Sequence, residues 1–205
     1  AIYSVYDNDL KLKKIWFGDG AESIGAYVAS YCHRLEYVKM GKNLKTIGDY
    51  AFYYSCNSLD DYTAQIIIGE NVETIGRSAF EFCAYVKSFE IPETVTTINP
   101  YAFCSCRAIT SITIPDSVQT IGKKAFYDCT SLRNVSLNNT LSYIPQEMFS
   151  HCYKLQTVTV PKTVTNIEDY AFSYCYELKN VYVPSSCSYA ANAFEYSNYV
   201  NVIRY

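Results

Sequence analysis

Nine cysteines and two histidines are the residues of this 205-residue chain best suited to chemistry. Thiolates and imidazoles in close pairs would hold zinc, and a cysteine beside a histidine would make a nucleophile. The spacing argues against both. Cys32, Cys56, Cys83, Cys106, Cys129, Cys152 and Cys175 recur once every 23 to 27 residues, never as pairs. His33 and His151 each adjoin one of these cysteines, but they are separated by about five such intervals. Cys104 and Cys187 fall outside the row, too far apart for a bridge, and both are expected to be free. Asp and Glu are scattered without a recurring pair, and no glycine-rich phosphate loop is present. The residues therefore predict no catalytic site, no cofactor and no metal.

The periodicity that spoils the chemistry defines the architecture. Ile24, Ile47, Ile75, Ile98, Ile121, Ile144 and Ile167 are spaced by 23, 28, 23, 23, 23 and 23 residues. An aromatic row comes next at Phe52, Phe80, Phe103, Phe126, Phe149, Phe172 and Phe194, with Ala29 in the first unit. The cysteines form a third row, and Leu35, Leu59, Val86, Ile109, Leu132, Leu155 and Leu178 a fourth. A fixed period in this range is the signature of a solenoid, whose units bury their apolar faces only against one another.

Within a unit, residues 110–115 (TSITIP) alternate apolar and polar positions with β-branched types, which predicts a strand. Gly41, Gly69, Pro92, Pro115, Pro161 and Pro184 end these strands, with Asn138 as the exception. The Gly-x-x-Ala-Phe piece is too short for a regular helix and predicts a turn or short helical segment, into whose first turn Pro145 would fit. Repeated cysteines would then stack about 4.8 Å apart, pointing the same way. That is poor disulfide geometry, so a reduced, buried ladder is expected.

The pattern L-x-x-[IV]-x-[IV]-P-x-x-V-x-x-I-G-x-x-A-F-x-x-C, seen well at 132–152 and 155–175, resembles the BspA-like leucine-rich repeats. The resemblance covers residues 12–205. It implies an α/β repeat, mostly β with short helical turns: a right-handed leucine-rich-repeat solenoid of about eight coils with a parallel sheet along one face. It also implies a secreted or cell-surface protein acting as a non-enzymatic adhesion module. The partner it implies is a host matrix or cell-surface protein, or alternatively a glycan. The competing readings are a structural spacer that displays another domain of a longer polypeptide, and an intracellular interaction scaffold.

The departures from the pattern are also informative. Residues 1–11 are a candidate cap. Five extra residues fall between Ile47 and Ile75, one of them between Phe52 and Cys56 and four near Asp60, Asp61, Tyr62 and Thr63. The unit at 185–205 is degenerate, with Ser197 in the cysteine row and Cys187 in a valine position. A strand at Tyr205 without a polar cap raises end-to-end self-association as an expectation. The chain opens without Met, as a processed or trimmed product would.

Two surfaces could bind. Outward strand positions are Trp16, Lys39, Ile67, Glu90, Thr113, Ser136, Thr159, Tyr182 and Arg204, with Lys14, Tyr37, Gln65, Ser88, Ser111, Asn134, Thr157 and Asn180 two residues earlier. Trp16, Tyr37 and Tyr182 are the expected anchors, since aromatics dominate interface energetics. Many of the 22 tyrosines fall near the Ala-Phe and cysteine positions, and so on the turn side. Asn134 and Asn138 head glycosylation-type tripeptides. A net charge of -3 argues against nucleic acid, and no apolar run reaches the length of a membrane span.

Overall fold

The computed structural model describes residues 12–57 and 64–205. The candidate cap at 1–11, Leu59 of the fourth row and the extra residues at 60–63 lie outside them. Among the described residues, sixteen short strands fall on two flanks of a stacked coil. The first flank carries β1 (Lys14–Trp16), β3 (Tyr37–Lys39), β5 (Gln65–Ile67), β8 (Ser111–Thr113), β10 (Asn134–Ser136), β12 (Thr157–Thr159), β14 (Asn180–Val183) and β16 (Asn201–Arg204). The second carries β2 (Ser23–Ile24), β4 (Thr46–Ile47), β6 (Thr74–Ile75), β7 (Thr97–Ile98), β9 (Thr120–Ile121), β11 (Tyr143–Ile144), β13 (Asn166–Ile167) and β15 (Ser188–Tyr189). All pairing is parallel and in register, as in Val135 beside Ile112 and Ile98 beside Ile75.

The third flank, built on the Ala-Phe segment, is not helical. Tyr101 and Ser105, which bracket Ala102 and Phe103, have φ of 63° and 56°, in the left-handed region. The same four-residue spacing recurs at Tyr27 and Tyr31, Tyr50 and Tyr54, Lys124 and Asp128, and Tyr170 and Tyr174. Each such residue costs about 1–2 kcal/mol. In return, alternate amides point at the next coil: Tyr101, Phe103 and Ser105 donate to the carbonyls of Lys123, Ala125 and Tyr127 at 3.1, 2.9 and 2.7 Å. The amides between them turn back within the coil, Ala102 to Asn99 and Cys104 to Tyr101 at 3.2 and 3.0 Å. Of the two expected forms, a turn or a short helical segment, the structure takes the turn, linked to the neighbouring coil.

Both sheets are interrupted where one residue type fails the ladder. On the first flank no strand forms at 88–90, leaving a three-stranded sheet (β1-β3-β5) and a five-stranded one from β8 to β16. Phe89 occupies a position held by Ile66 and Ile112 in the adjoining strands, and its larger ring wedges between Phe80 and Phe103 at 5.1 and 4.9 Å. Glu90 is exposed but, contrary to expectation, is not a strand residue. On the second flank the ladder breaks between β9 and β11. Gly122 and Glu168 donate N–H to Ile98 and Ile144 at 2.8 and 3.0 Å. Pro145 holds the equivalent position without an N–H to give. It marks a ladder break, not the first turn of a helix.

The core is a column of rings. From Phe52 through Phe80, Phe103, Phe126, Phe149 and Phe172 to Phe194, neighbours stack at 5.3 to 5.7 Å with interplanar angles of at most 18°. Beside it the cysteines are all buried as thiols, Cys104 and Cys187 included. They do more than fill space. Cys83, Cys106, Cys129, Cys152 and Cys175 donate their thiol hydrogen to the carbonyl of the preceding coil's phenylalanine, at 3.2 to 3.4 Å. Ser197 makes the same bond to Phe172 at 2.7 Å, which explains the substitution. In coil two the extra residue displaces Cys56 by one position, and Ser55 takes the donor seat, bonding the Ala29 carbonyl. Cys56 is thus buried but not a member of the donor row.

Burial pushes Cys83, Cys106, Cys129 and Cys152 well above the ordinary thiol pKa, and Cys175 to about 12. A pKa raised by folding contributes stability that is complete below the unfolded-state value of about 8.5 and is lost as pH rises through the folded one. Urea unfolding should therefore show stability falling above pH 9 toward 12, and serine at Cys106, Cys129 and Cys152 should flatten the decline. At neutral pH, Cys129→Ala should cost about 1–3 kcal/mol by orphaning the Phe103 carbonyl, and Cys129→Ser less than half of that.

Candidate functional site

The first flank presents most of the outward residues expected of it. Trp16 is 62% exposed, Ile67 is 37% exposed, and Lys39, Thr113, Ser136 and Thr159 are exposed beside them. Tyr37 and Tyr182 are half-buried. Arg204 does not belong to this row. On this flank the last coil is two residues shorter than the 23-residue period, so Ile203 pairs with Tyr182, and Arg204 pairs with Val183. Its guanidinium turns to the Pro184 and Cys187 carbonyls and lies 5.1 Å from the Tyr189 ring. The two aromatic ends are not one site, since seven strand spacings of about 4.8 Å part Trp16 from Tyr182.

At the Trp16 end, a groove of about 570 Å³ is lined by Trp16, Lys39, Ile67, Asp19, Lys42 and Glu70 and floored by Gly18, Gly41 and Gly69. The Trp16 and Tyr37 rings meet at 6.0 Å, tilted by 49°. Lys42 takes Asp19 as its partner through the ammonium at 3.8 Å and the backbone N–H at 3.0 Å. The groove owes its existence to the residue type just past each strand. Coils one to three place glycine there, whereas later coils place Pro92, Pro115, Pro161 and Pro184. Gly41 is obligatory for packing, since a Cβ would sit 2.6 Å from the Gly18 carbonyl oxygen, but nothing lies within 4 Å of a Cβ on Gly18. The contrast of glycine with proline was in the sequence, and only the stacked backbone shows that it hollows the surface.

The tyrosines near the Ala-Phe and cysteine positions lie on the turn flank, as expected. Tyr27 stacks on Tyr50 at 4.9 Å, Tyr153 on Tyr176 at 5.2 Å and Tyr174 on Tyr196 at 4.5 Å. Between these aromatic ends runs a charged strip: Arg77 and Lys124 approach the Tyr101 ring at 5.2 and 5.7 Å, Lys124 pairs with Glu147 at 3.0 Å, and Arg107 with Asp128 at 2.7 Å. The groups here are occupied in holding coils together. Burial raises the Glu81 carboxyl and lifts the Cys104 thiol to about 12, so that this thiol stays protonated. His151 lies 2.8 Å from Ser150 Oγ and stacks on Tyr174 at 4.3 Å, and burial lowers its pKa. Ser150 is buried and also shares a hydrogen bond with Ser173 at 2.8 Å, so its hydroxyl is not presented to a substrate. Of the two glycosylation-type asparagines, Asn134 is exposed. Asn138 is buried, and its amide nitrogen donates to the Pro115 and Val118 carbonyls, both at 2.7 Å. Among the described residues no cluster of His, Cys, Asp and Glu could hold a metal, and no helix is long and apolar enough to cross a membrane.

Parallel strands, a stacked phenylalanine column and a non-helical turn flank together define a leucine-rich-repeat solenoid. The BspA type leucine rich repeat region matches residues 3–106 and 96–204, in six copies, and the chain belongs to that family. The fold is similar to a leucine rich cell surface protein from Faecalibacterium prausnitzii, at 27% identity and a TM-score of 0.61 over 96% of this chain and 60% of that one. It is also similar to the Treponema pallidum leucine rich repeat protein, at 26% identity and a TM-score of 0.72 over 82% of this chain and 77% of that one. A Bacteroides ovatus leucine-rich repeat protein, 23% identical with a TM-score of 0.67 over 89% of this chain and 58% of that one, shares the fold. The chain thus spans about 60% of the length of two of these structures. No curated protein matches it.

The glycine row can be tested directly. Gly41→Ala should destabilise the protein by about 1–3 kcal/mol through backbone displacement, while Gly18→Ala should stay within about 0.5 kcal/mol. Urea denaturation of both variants measures the difference.

Proposed function

We propose that this solenoid is a non-enzymatic binding module of a secreted or cell-surface protein, and that it captures a protein partner through the groove beside Trp16. One observation carries the reading: the only tryptophan of the chain stands 62% exposed on a strand, packed at a tilt against Tyr37 and next to a glycine-floored groove. An indole in that position adds nothing to the core. It has the character of an interface anchor, a large rigid side chain ringed by polar residues. The family, and the name of the Faecalibacterium protein as a cell surface protein, support a surface location.

The test is capture from extracellular-matrix and cell-surface extracts, with the partner identified and its affinity then measured using purified protein. Trp16→Ala should reduce affinity at least tenfold, equivalent to about 1.4 kcal/mol, with an unchanged melting temperature. Tyr182→Ala, at the far end of the face, should leave affinity intact. Capture that survives Trp16→Ala would move the site to the tyrosine flank. No capture by the parent protein would favour the spacer reading, in which the solenoid displays another domain.

A further inference from the structure

Coil six is set apart from its neighbour on the first flank. The pairing of β10 with β12 holds only at Asn134 and Thr157, whereas β8 with β10 and β12 with β14 each keep three residue pairs. The Gln156 amide reaches the Arg133 carbonyl at 3.4 Å, while the corresponding bonds on either side are 2.9 Å. Val135 and Leu137 are consequently half-buried, although Ile112, Ile114, Val158 and Val160 at the same positions are buried. The strands part toward their C-terminal ends and open a cleft of about 480 Å³.

The lining of this cleft has a particular chemistry. Ser136, Thr157 and Thr159 bring hydroxyls, Asn139 lies at the rim, and Lys162 brings a cation; Tyr205 forms a wall. The Tyr205 hydroxyl donates to the Val160 carbonyl at 2.6 Å, which fixes the ring. Lys162 has no acidic partner among the described residues. The lining holds no Asp or Glu side chain, and the nearby Asp116 accepts the Asn139 amide at 2.9 Å. The site therefore combines hydroxyl donors and acceptors, one apolar floor, one aromatic face and one ammonium that makes no ion pair among the described residues, in a volume suited to a small ligand. A peptide strand is a poor occupant, because strand addition requires a free sheet edge and β10 and β12 each keep a neighbour on the other side.

We infer that the cleft between β10 and β12 binds an acidic sugar, its ring against Tyr205 and its carboxylate or sulfate on Lys162. This holds whether or not the Trp16 groove captures a protein. The experiment is an NMR titration of the full chain with glucuronic acid, glucose 6-sulfate and glucose. At least one acidic sugar should shift the amides of Ser136, Thr159 and Lys162 saturably, and glucose should bind at least about tenfold more weakly, the effect of losing a charge-assisted hydrogen bond. The acidic sugar preferred tells whether carboxylate or sulfate is the natural group. Lys162→Gln should weaken the acidic sugar by a similar factor, Ser136→Tyr should block the cleft, and Trp16→Ala should change neither. The inference is overturned if neither acidic sugar gives saturable shifts at those amides, if glucose binds equally well, or if Lys162→Gln has no effect.

Discussion

The hydrogen bond from one coil to the next is the interaction on which the whole molecule depends. Each coil is too short to enclose a core, and on all three of its flanks its amides find their partners in a neighbour. This explains why the turn flank tolerates left-handed residues, two in most coils, most often tyrosine and rarely a residue suited to that conformation. The strain is local, while the bonds it permits link consecutive coils. It also explains the constancy of the 23-residue period, since any change in length moves donors away from their acceptors.

Where the length or a residue type departs, the ladder records it. Phe89 and Pro145 each interrupt one sheet, the first by size and the second by lacking a donor. The shortened last coil shifts Arg204 out of the outward row and into the turn above it. These interruptions do not coincide, so at each level at least one other flank remains linked, and the column of phenylalanines runs past them without a gap.

Much of this was legible in the residues. Periodicity located the first-flank strands except at 88–90, the buried rows and the face that Trp16, Lys39 and Thr159 share, because a solenoid converts sequence position into spatial position. The second-flank strands, such as Thr97–Ile98, read only as an apolar anchor. Features that depend on backbone direction were not legible. The Ala-Phe segment read as a turn or a short helical segment because its composition allows either, and the sign of φ at Tyr101 and Ser105 decides for the turn. Likewise Cys56 aligned with the cysteine row by residue type, while Ser55 holds the donor seat by count from Phe52. The groove at Trp16 and the cleft at Lys162 depend on small differences between neighbouring coils, and a repeat pattern is by construction blind to these.

The thiol row carries a further consequence. Cysteine content usually reports the redox compartment of a protein, because exposed thiols pair where oxidants are present. Here the thiols are sealed by the fold, and five of them are committed to carbonyls of the phenylalanine row, so the folded chain presents little for an oxidant to reach. The unfolded chain differs. It would release nine reactive sulfurs, and in air or outside a cell random cross-linking would trap it before it could refold. For such a protein the barrier to opening, and not the equilibrium between folded and unfolded forms, sets its lifetime.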